Sequence, residues 1–550
     1  MGAFIVCILV TIAPLNRLAG LTLLSSLPFT IFLTVVGTKL PTDLHLTADV
    51  HASQINTDTI EFLALTLLIY LFYFLSAYMA QKYTAIHTDN PTRSQSVQIL
   101  LKYIWVGAVL AGTIYVLAPS ALSHDAAVYA GYGRIIVTHH ANPYYTPLSA
   151  FPHDPLVKVD DWREAVAAYG PLWLLVCAVS TLVAGSSILH YIFFYRILGL
   201  LAHLINIWLV TTILRKTKRS PRLVVLGTLL YAWNPLVLLE SGLGGHNDTA
   251  MVTYILLGIL LCVRAEQHAF LQARQYLPPI LAFTCATLIK FTAAPIIVFY
   301  LVLVARSVFT KGRLLQQREQ ASIQSQWLLM LRVVFSATLV SCGLVITLYM
   351  PLWFEHNLHD IVGSLGSPPS SRLAFGSILL ALQKVSALSH QGNSFLGFFS
   401  LHSTWNGINA LVVVSFFCLG GLWLYRTPTT LTMVQATLAL LGALLIVTPW
   451  FFPWYVIWLV GLAALCVPAP HEWRKRVLVG STLTFSASAF LIYLFRGYPP
   501  IGDWIGFTSL TTIGPPLIVL LVLLLPRKSS THLSQNVPEH VEEIANQLVP

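Results

Sequence analysis

Long apolar runs are the feature that most constrains this chain. Segments of about 20 residues, long enough to cross the hydrocarbon core of a bilayer as a helix, recur along the whole sequence. Hydrophobic residues make up 56% of the 550 positions and charged residues only 9%, whereas a soluble domain carries about a quarter charged residues. The sequence therefore predicts an all-α fold, a polytopic bundle of about 12–14 transmembrane helices.

The individual spans follow from the limits of the apolar runs. They are predicted at 18–37, 59–80, 99–118, 169–186, 188–214, 222–239, 247–264, 277–306, 328–353, 406–426, 430–448, 451–468, 477–495 and 509–525. The run 277–306 can be two short helices that meet near Lys290, and 3–15 is either a further span or an interfacial segment. Residues 1–526 are thus predicted to form one membrane-embedded domain, followed by a cytoplasmic tail at 527–550.

The orientation of the bundle follows from its basic residues, because cytoplasmic loops of membrane proteins carry an excess of Lys and Arg. The basic linkers 81–102, 306–327 and 470–476 are therefore placed inside the cell. The long loops 119–168 and 354–405 then lie outside, as the first and second outer loops. The net charge of +10 comes from such clusters, so it indicates topology and contact with anionic membrane lipids rather than a nucleic-acid partner.

One stretch has a crossing number that does not match this orientation. Between the first outer loop and the basic run 215–222 the chain must cross an odd number of times, yet two spans, 169–186 and 188–214, are predicted there. Either 169–186 is re-entrant, or three short crossings share this stretch, or the basic run lies outside. The first two alternatives are favoured, and the sequence does not decide between them.

The first outer loop opens with the segment that carries the clearest chemistry. Asp125 follows an apolar run that ends at Ala118, so its carboxylate is expected at the mouth of the bundle. A carboxyl group half-buried at the membrane surface can have a raised pKa and act as a general base. The alternative is that Asp125 only caps the helix that follows it.

Aromatic and polar side chains are dense in the rest of this loop and in a later motif. Aromatic rings stack on the CH faces of sugars while neighbouring polar groups bind the hydroxyls, so we predict a sugar- or acceptor-binding role for them. These residues are Tyr129, Asn142, Tyr144, Asp154, Trp162 and Tyr169 in the loop, and Trp450 and Trp454 in the motif 448–458. The alternative for the aromatic residues is an interfacial belt.

A glycine-rich break separates two apolar runs at 240–248. Glu240, His246 and Asp248 cluster there, around Gly244 and Gly245. Glycine lets backbone N–H groups approach a ligand, and the N-terminus of the next helix favours an anion. Three ionisable groups exceed what a helix cap needs, so a binding function is favoured over capping by Asp248 alone.

Lys290 lies in the middle of an apolar run, far from either basic flank. A charge at membrane depth costs about 2.5–3.5 kcal/mol on insertion scales, and such residues are usually functional. Binding a lipid phosphate is the natural use of a cation there, and Arg196 is a weaker second candidate of the same kind. The alternative is snorkelling to a nearby interface.

Other kinds of site have less support. The histidines His124, His139, His140 and His153 share the first outer loop, but their spacing matches no zinc pattern. All seven cysteines fall inside apolar runs, so a disulfide framework is not expected. No Walker or Rossmann fingerprint occurs, which argues against a pump driven by its own ATP hydrolysis. We therefore predict no cofactor, with a divalent metal ion left open.

Together these residues resemble the GT-C superfamily of membrane glycosyltransferases, and more narrowly the bacterial polyprenyl-phosphate-mannose-dependent mannosyltransferases. The resembling pieces occur in order over about 120–460. They are His124-Asp125, Tyr129, Gly131, Asn142-Pro143-Tyr144, Asp154-Pro155, Tyr169-Gly170-Pro171, Asn234-Pro235, Glu240, Gly244-Gly245-His246-Asn247-Asp248, Lys290, Pro449-Trp450 and Trp454-Tyr455.

The resemblance implies a reaction and roles for several residues. A polyprenyl-phosphate sugar would be the donor and a glycan or glycolipid the acceptor. Asp125 would be the general base on the acceptor hydroxyl, with inversion at the anomeric carbon. Lys290 and His246 would bind the donor phosphate. Glu240 and Asp248 would position sugar hydroxyls, in an active site on the extracytoplasmic face of the cell membrane.

Two other functions stay open from the residues alone. A lipid-linked-sugar flippase or other secondary transporter would also have intramembrane charges and broken helices, but transporters usually contain internal repeats and none is evident here. Another enzyme on the same carrier would be a polymer ligase or a transferase that moves sugar to protein. Release of free polyprenyl phosphate would distinguish either enzyme from a flippase.

Overall fold

Helices account for all the regular secondary structure that the computed structural model describes. The described residues are 57–86, 93–118, 123–268, 270–319, 323–354, 356–357, 360, 376–388, 395–469, 472–495 and 505–524. Their helices are α1 (Thr57–Ile86), α2 (Arg93–Leu117), α3 (Asp125–Val137), α4 (Pro171–Ala184), α5 (Ile188–Lys216), α6 (Pro221–Ala232), α7 (Pro235–Gly242), α8 (Asn247–Glu266), α9 (Ala273–Ile289), α10 (Ala294–Glu319), α11 (Ile323–Trp353), α12 (Ile378–Leu388), α13 (Phe395–Ser400), α14 (His402–Arg426), α15 (Thr430–Val447), α16 (Val456–Leu465), α17 (Trp473–Ala489), α18 (Leu491–Phe495) and α19 (Ile505–Leu524). Short 3₁₀ turns lie between them at Leu148–Ala150, Pro155–Lys158, Phe291–Ala293 and Pro453–Tyr455.

The predicted all-α, polytopic bundle is confirmed. Within the described part of the chain, nine helices are long and apolar enough to cross a membrane, and the bent pair α6 and α7 makes a tenth span if it is counted as one. Three further apolar helices are shorter: Pro171–Ala184, Pro453–Leu465 and Leu510–Leu524. The predicted segments 3–15 and 18–37 and the predicted tail 527–550 lie outside the described residues, as do 361–375 and 389–394 of the second outer loop.

Helix α4 is too short for the span predicted at 169–186. Its 14 residues extend about 21 Å, less than the roughly 30 Å of a hydrocarbon core. Both of its ends contact α3: the ring of Tyr169 lies 5.4 Å from that of Tyr129, and the carbonyl of Gly185 accepts a hydrogen bond from Arg134 at 3.2 Å. Helix α4 thus stays beside the segment it came from, which supports the re-entrant alternative.

The basic run after α5 contacts the basic linker before α17. The guanidinium of Arg219 lies 3.2 Å from the carboxylate of Glu472 and also donates a hydrogen bond to the carbonyl of Val467. The run 215–222 and the described part of the basic linker, 472–476, therefore lie on the same side of the bundle. This contact agrees with a single crossing, by α5, between the first outer loop and the basic run.

The predicted break near Lys290 is confirmed. Helix α9 ends at Ile289, Lys290 is extended with φ −148° and ψ 124°, and α10 begins at Ala294. The break frees a backbone carbonyl, and that of Ile289 accepts a hydrogen bond from the N–H of Gly170 at 3.1 Å. The break therefore joins the end of α9 to the start of α4.

A second break bends the chain by 47° between α6 and α7. Pro235 begins α7, and the side chain of Asn234 caps it by accepting a hydrogen bond from the N–H of Val237 at 3.2 Å. The same Asn234 oxygen accepts a hydrogen bond from the hydroxyl of Ser486 at 2.9 Å, which ties the bend to α17. This bend sets the course of α7, near whose end Glu240 lies.

The helices differ in how far they are enclosed. Of their most apolar windows, 67% is buried in α8 and 72% in α15, but only 17% in α11 and 11% in α14. Helices α8, α5 and α9 pack together in the interior. The apolar side chains that α11 and α14 leave exposed are what helices surrounded by lipid require.

Glycine allows α5 and α7 to touch through their backbones. A Cβ atom at Gly199 would lie 2.1 Å from the carbonyl oxygen of Ser241. No real Cβ atom approaches an oxygen so closely, and a backbone carbonyl within a helix cannot turn away. Only glycine therefore fits at this contact.

We expect Gly199→Ala to destabilise the protein by about 1–3 kcal/mol, because α5 and α7 would have to separate. Gly343→Ala in α11 is the matched control: nothing lies within 4 Å of a Cβ atom there, so the gain in helix propensity should stabilise slightly. Thermal unfolding of both purified variants in detergent measures the difference. Equal melting temperatures would contradict the packing of α5 on α7.

Candidate active site

Asp125 is the first residue of α3, and its side chain is buried. The N-cap position belongs to His124, whose side chain makes no capping hydrogen bond. The Oδ2 atom of Asp125 instead accepts a hydrogen bond from the hydroxyl of Tyr129 at 3.3 Å and lies 3.2 Å from Nδ1 of His246. The carboxylate therefore belongs to a charged cluster rather than to a helix cap.

His246 lies between two carboxylates. Its Nδ1 atom faces Asp125, and its Nε2 atom lies 3.2 Å from Oε2 of Glu240. The hydroxyl of Tyr493 donates a hydrogen bond to the other oxygen of Glu240. The imidazole ring stacks on Trp454, with centroids 4.0 Å apart and planes 15° apart. Each polar atom of this buried group thus has an oppositely charged or hydrogen-bonding neighbour.

Two glycines allow the chain to turn just before His246. Gly245 has φ +64°, a left-handed conformation that favours glycine, and a Cβ atom there would lie 2.9 Å from the backbone of Tyr195. A Cβ atom at Gly244 would lie 2.5 Å from the imidazole ring of His246. The glycine-rich break therefore creates the space that the imidazole ring occupies.

Lys290 and Asp248 form a second charge pair. The Nζ atom lies 2.8 Å from Oδ1 of Asp248, and the indole N–H of Trp458 donates to the same oxygen at 2.6 Å. The ammonium group also lies over the ring of Tyr455, 4.1 Å from its centroid. Paired charge and aromatic faces offset the cost of a cation in an apolar medium. Lys290 therefore ends against a carboxylate and aromatic rings instead of extending to a basic flank.

The charge states of Asp125 and His246 follow from their contacts. Burial opposes ionisation of Asp125, but His246, the hydroxyl of Ser123 and the positive charge of Lys290 outweigh it and hold the pKa of Asp125 below its usual value. Burial also opposes protonation of His246, yet Asp125 and Glu240 raise its pKa to about 9. The sequence allowed a raised pKa for a half-buried Asp125, whereas the contacts with cationic neighbours lower it; these contacts are not evident from the sequence.

Aromatic rings surround the charged cluster on the side of α3 and α4. The ring of Tyr129 contacts those of Tyr169, Trp173 and Tyr195 edge to face, with centroids 5.1 to 5.4 Å apart. Of the aromatic residues predicted to bind sugar, Tyr129 and Trp454 contact the cluster directly. Tyr169 contacts the ring of Tyr129 and not the charged cluster itself.

The other predicted sugar-binding residues lie along the loop that follows α3. Trp162 and Trp450 contact each other, with ring centroids 5.4 Å apart. The hydroxyl of Tyr144 donates to the carbonyl of Tyr169 at 2.8 Å. The amide of Asn142 donates to the backbone at the end of α11. These contacts position the loop, and a sugar-binding role for the residues stays a prediction.

Asp154 is occupied by contacts within its own loop. Its Oδ2 atom accepts a hydrogen bond from Nε of Arg134 at 2.7 Å and lies 2.7 Å from Nε2 of His139. Its Oδ1 atom accepts a hydrogen bond from the N–H of Leu156 at 2.9 Å. Because both oxygens have protein partners, these contacts favour a structural role, and sugar binding by Asp154 stays a prediction.

Arg196 is also surrounded by protein groups. Its guanidinium donates to three backbone carbonyls, those of Val116, Ala118 and Leu243, at 2.6 to 3.3 Å. It therefore joins the end of α2 to the turn between α7 and α8. Binding of donor phosphate by Arg196 is a prediction that these contacts do not favour.

Several residues of the cluster were missing from the predicted site. Trp458 donates a hydrogen bond to Asp248, and the ring of Tyr455 contacts the ammonium group of Lys290; both residues lie in the aromatic motif 448–458. Tyr493, which binds Glu240, lies in an ordinary apolar run and gave no signal. Trp173 begins a predicted span and was likewise not distinguishable from a lipid-facing residue.

The loop histidines contact carboxylates of the same loop. Nδ1 of His124 lies 3.0 Å from Oδ2 of Asp161, and His139 contacts Asp154. Among the described residues, no group of three or more His, Cys, Asp or Glu side chains has an arrangement that could hold a metal ion.

A buried carboxylate and an intramembrane cation thus meet at helix breaks of an all-α, many-spanning bundle, and both the fold and the known relatives identify a GT-C-type membrane glycosyltransferase. A family model described as "Alpha-(1->6)-mannopyranosyltransferase, N-terminal domain" matches residues 23–306. Because this match covers just over half of the chain, the chain belongs to that mannosyltransferase family.

Two curated relatives come from Corynebacterium glutamicum. The chain is 22% identical to alpha-(1->6)-mannopyranosyltransferase A over 365 residues, which cover 65% of this chain and 68% of the relative. It is 28% identical to alpha-(1->6)-mannopyranosyltransferase B over 108 residues, which cover 20% of this chain and 17% of that relative. The predicted resemblance to membrane mannosyltransferases is confirmed.

We expect Asp154→Asn to destabilise the protein by about 3–5 kcal/mol, because the buried Arg134 would lose its anionic partner. Burial raises the pKa of Asp154, but hydrogen bonds from Leu156, His139 and Arg134 lower it further, to below its usual value. The stabilisation is thus present above the ordinary pKa of aspartate and is lost as the pH falls through the lower folded-state value. Thermal unfolding between neutral and acidic pH measures both effects.

Turnover by the folded fraction of this variant should stay close to that of the wild type, because Asp154 does not contact the charged cluster. A large loss of turnover without a loss of stability would overturn the structural role and would favour substrate binding by Asp154.

Proposed function

We propose that this chain transfers mannose from a polyprenyl-phosphate carrier to a hydroxyl group of a glycan or glycolipid acceptor, with inversion at the anomeric carbon. The observation that carries the proposal is that a buried carboxylate, Asp125, and a largely buried cation, Lys290, belong to one cluster of side chains. His246 contacts Asp125 and stacks on Trp454. Trp454 in turn contacts Tyr455, over whose ring the ammonium group of Lys290 lies. A glycosyl transfer from a lipid phosphate needs a base for the acceptor and a cation for the leaving phosphate. The names of the relatives support an α-(1→6) linkage.

The reaction can be followed atom by atom. Asp125 accepts the proton of the acceptor hydroxyl as that oxygen attacks C1 of the donor sugar. The bond between C1 and the phosphate oxygen breaks, and its electron pair leaves with polyprenyl phosphate. With a β-linked donor, this single displacement gives an α-linked product. The negative charge on the phosphate oxygen is stabilised by the ammonium group of Lys290.

The lipid carrier as donor is supported by two features. The sequence contains no nucleotide-binding fingerprint that would hold a nucleotide sugar. Lys290 lies at a helix break between two apolar helices, a position that a phosphate on a membrane-embedded lipid can reach more readily than a soluble substrate can. We assign the reaction to the extracytoplasmic face and the C-terminal tail to the cytoplasm, because the basic residues of the linkers 81–102, 306–327 and 470–476 favour a cytoplasmic location for those linkers.

We expect Asp125→Asn to lower the transfer rate by about 10²–10⁴-fold, because the amide cannot accept the proton. The assay uses purified protein, labelled polyprenyl-phosphate mannose and a mannoside acceptor, with donor binding measured separately. Donor binding should be retained. Asp161→Asn, which removes an exposed carboxylate of the same loop, is the matched control and should transfer normally.

Equal transfer by wild type and Asp125→Asn would remove Asp125 as the base. If the wild type releases no polyprenyl phosphate from any carrier-linked sugar, a lipid-linked-sugar flippase or another secondary transporter becomes the better description.

We expect Lys290→Gln to lower the transfer rate by about 10²–10³-fold and to weaken binding of free polyprenyl phosphate, because the phosphate loses its cation. Lys290→Arg keeps the charge and should recover part of both. Inhibition by added polyprenyl phosphate measures the binding. An unchanged inhibition constant in Lys290→Gln would show that the phosphate binds elsewhere.

A further inference from the structure

Both ring nitrogens of His246 face carboxylates: Nδ1 lies 3.2 Å from Asp125 and Nε2 lies 3.2 Å from Glu240. An imidazole has no third polar atom, so a donor phosphate could bind His246 only by displacing one of these two carboxylates. We propose that Glu240, His246 and Asp125 form a carboxylate–imidazole–carboxylate relay in which His246 and Glu240 are positioning residues for the base. This inference rests on the proposed function, because it needs Asp125 to accept a proton.

The relay is held in one orientation by packing and by a hydrogen bond. Trp454 stacks on one face of the imidazole ring, at a centroid distance of 4.0 Å. Gly244 leaves space for the edge of the ring, since a Cβ atom there would lie 2.5 Å from it. Tyr493 donates a hydrogen bond to Glu240 from the opposite end of the relay. The imidazole therefore cannot rotate away from Asp125 without losing packing on several sides.

Glu240 needs an explanation, because a fully buried carboxylate is costly unless it is paired. It is buried against His246, on the side away from Asp125. In the resting relay, one imidazolium is shared by two carboxylates. When Asp125 takes the proton of the acceptor it becomes neutral, and His246 stays paired with Glu240. Glu240 therefore prevents an unpaired buried cation during the reaction.

The contacts also assign the oxygen that reacts. The hydrogen bond from Tyr129 and the contact with His246 both fall on Oδ2 of Asp125. We assign Oδ1 as the atom that accepts the proton of the acceptor hydroxyl. The proton stays on Asp125 while the new C1–O bond forms, and it returns to solvent after the glycan product and polyprenyl phosphate have left.

Other titratable or charged groups face the relay and must be separated from His246 in any pH experiment. They are Tyr129 on α3, Asp160 and Tyr169 in the loop after α3, Tyr195 and Arg196 on α5, Asp248 on α8, Lys290 at the break before α10, Tyr455 before α16 and Tyr493 on α18. Substitutions at His246 and Glu240 alone keep all of these side chains in the protein.

The test is the pH profile of kcat/KM for the wild type, His246→Gln and Glu240→Gln in purified full-length protein. The wild-type rate should fall above about pH 9, as His246 loses its proton. Glu240→Gln removes one of the two carboxylates that raise the pKa of His246, so this fall should move towards the ordinary histidine value of about 6.5. In His246→Gln, kcat/KM should no longer decrease at alkaline pH.

His246→Gln should also move the acidic rise of the profile to higher pH, because the pKa of Asp125 is no longer lowered by an adjacent imidazolium. We expect kcat to fall at least about tenfold, a part of the 10²–10⁴-fold that a positioned base contributes. The KM for the donor should stay within about twofold, since no phosphate contact is lost. His203→Gln replaces another buried histidine and is the matched control for stability and profile.

The outcomes separate the two proposals. If His246→Gln weakens polyprenyl-phosphate binding and leaves the pH profile unchanged, the relay is overturned and His246 binds the phosphate. If Asp125→Asn transfers normally, the proposed base fails, whatever the His246 variants do. If the glutamine variants do not fold, Glu240→Asp, which keeps the charge but withdraws it from His246, should shift the alkaline fall partway; an unshifted fall would overturn the relay.

Discussion

Pairing of buried charges is the interaction on which the rest of this site depends. Asp125, Glu240 and Asp248 are acidic groups in an apolar bundle, and each is compensated by His246 or Lys290. In such a medium an unpaired charge costs several kcal/mol, so the partners must be delivered to within hydrogen-bonding distance. Because the partners come from α3, α7, α8 and the break before α10, the pairs also determine how these elements are assembled.

Breaks in the helices make this pairing possible. His246 lies between α7 and α8, Lys290 between α9 and α10, and Trp454 between α15 and α16. Irregular backbone at membrane depth is tolerated only where protein satisfies its polar groups. Here the carbonyl of Ile289 is bound by Gly170, and the carbonyl of Leu243 is bound by Arg196. The same groups that close the breaks therefore hold the reactive side chains in position.

Aspartate and basic residues have structural contacts in one part of the molecule and belong to the proposed active site in another. Asp154, with Arg134 and His139, is enclosed within the first loop and has both oxygens occupied. The contacts of Asp125 with Tyr129 and His246 both fall on its Oδ2 atom, and we assign the Oδ1 atom to the substrate proton. Lys290 and Arg196 differ in the same way: Arg196 donates to carbonyls that end helices, whereas Lys290 meets a carboxylate and aromatic faces.

Apolar runs alone predict a polytopic helical bundle, because a helix that crosses a bilayer needs about 20 consecutive apolar residues and such runs are visible in the sequence. Charges within those runs or directly beside them, at Glu240, Asp248 and Lys290, can also be recognised in the sequence, because burying a charge in a membrane protein is costly and such residues are usually functional. The sequence does not show which of these charges form pairs. Asp125 and His246 are 121 positions apart, and they come into contact only because α3 packs beside the turn after α7. The pairing of His246 with two carboxylates, the contact of Tyr493 with Glu240 and the packing of the short α4 beside α3 depend on distances between helices. No local pattern of residues encodes such distances.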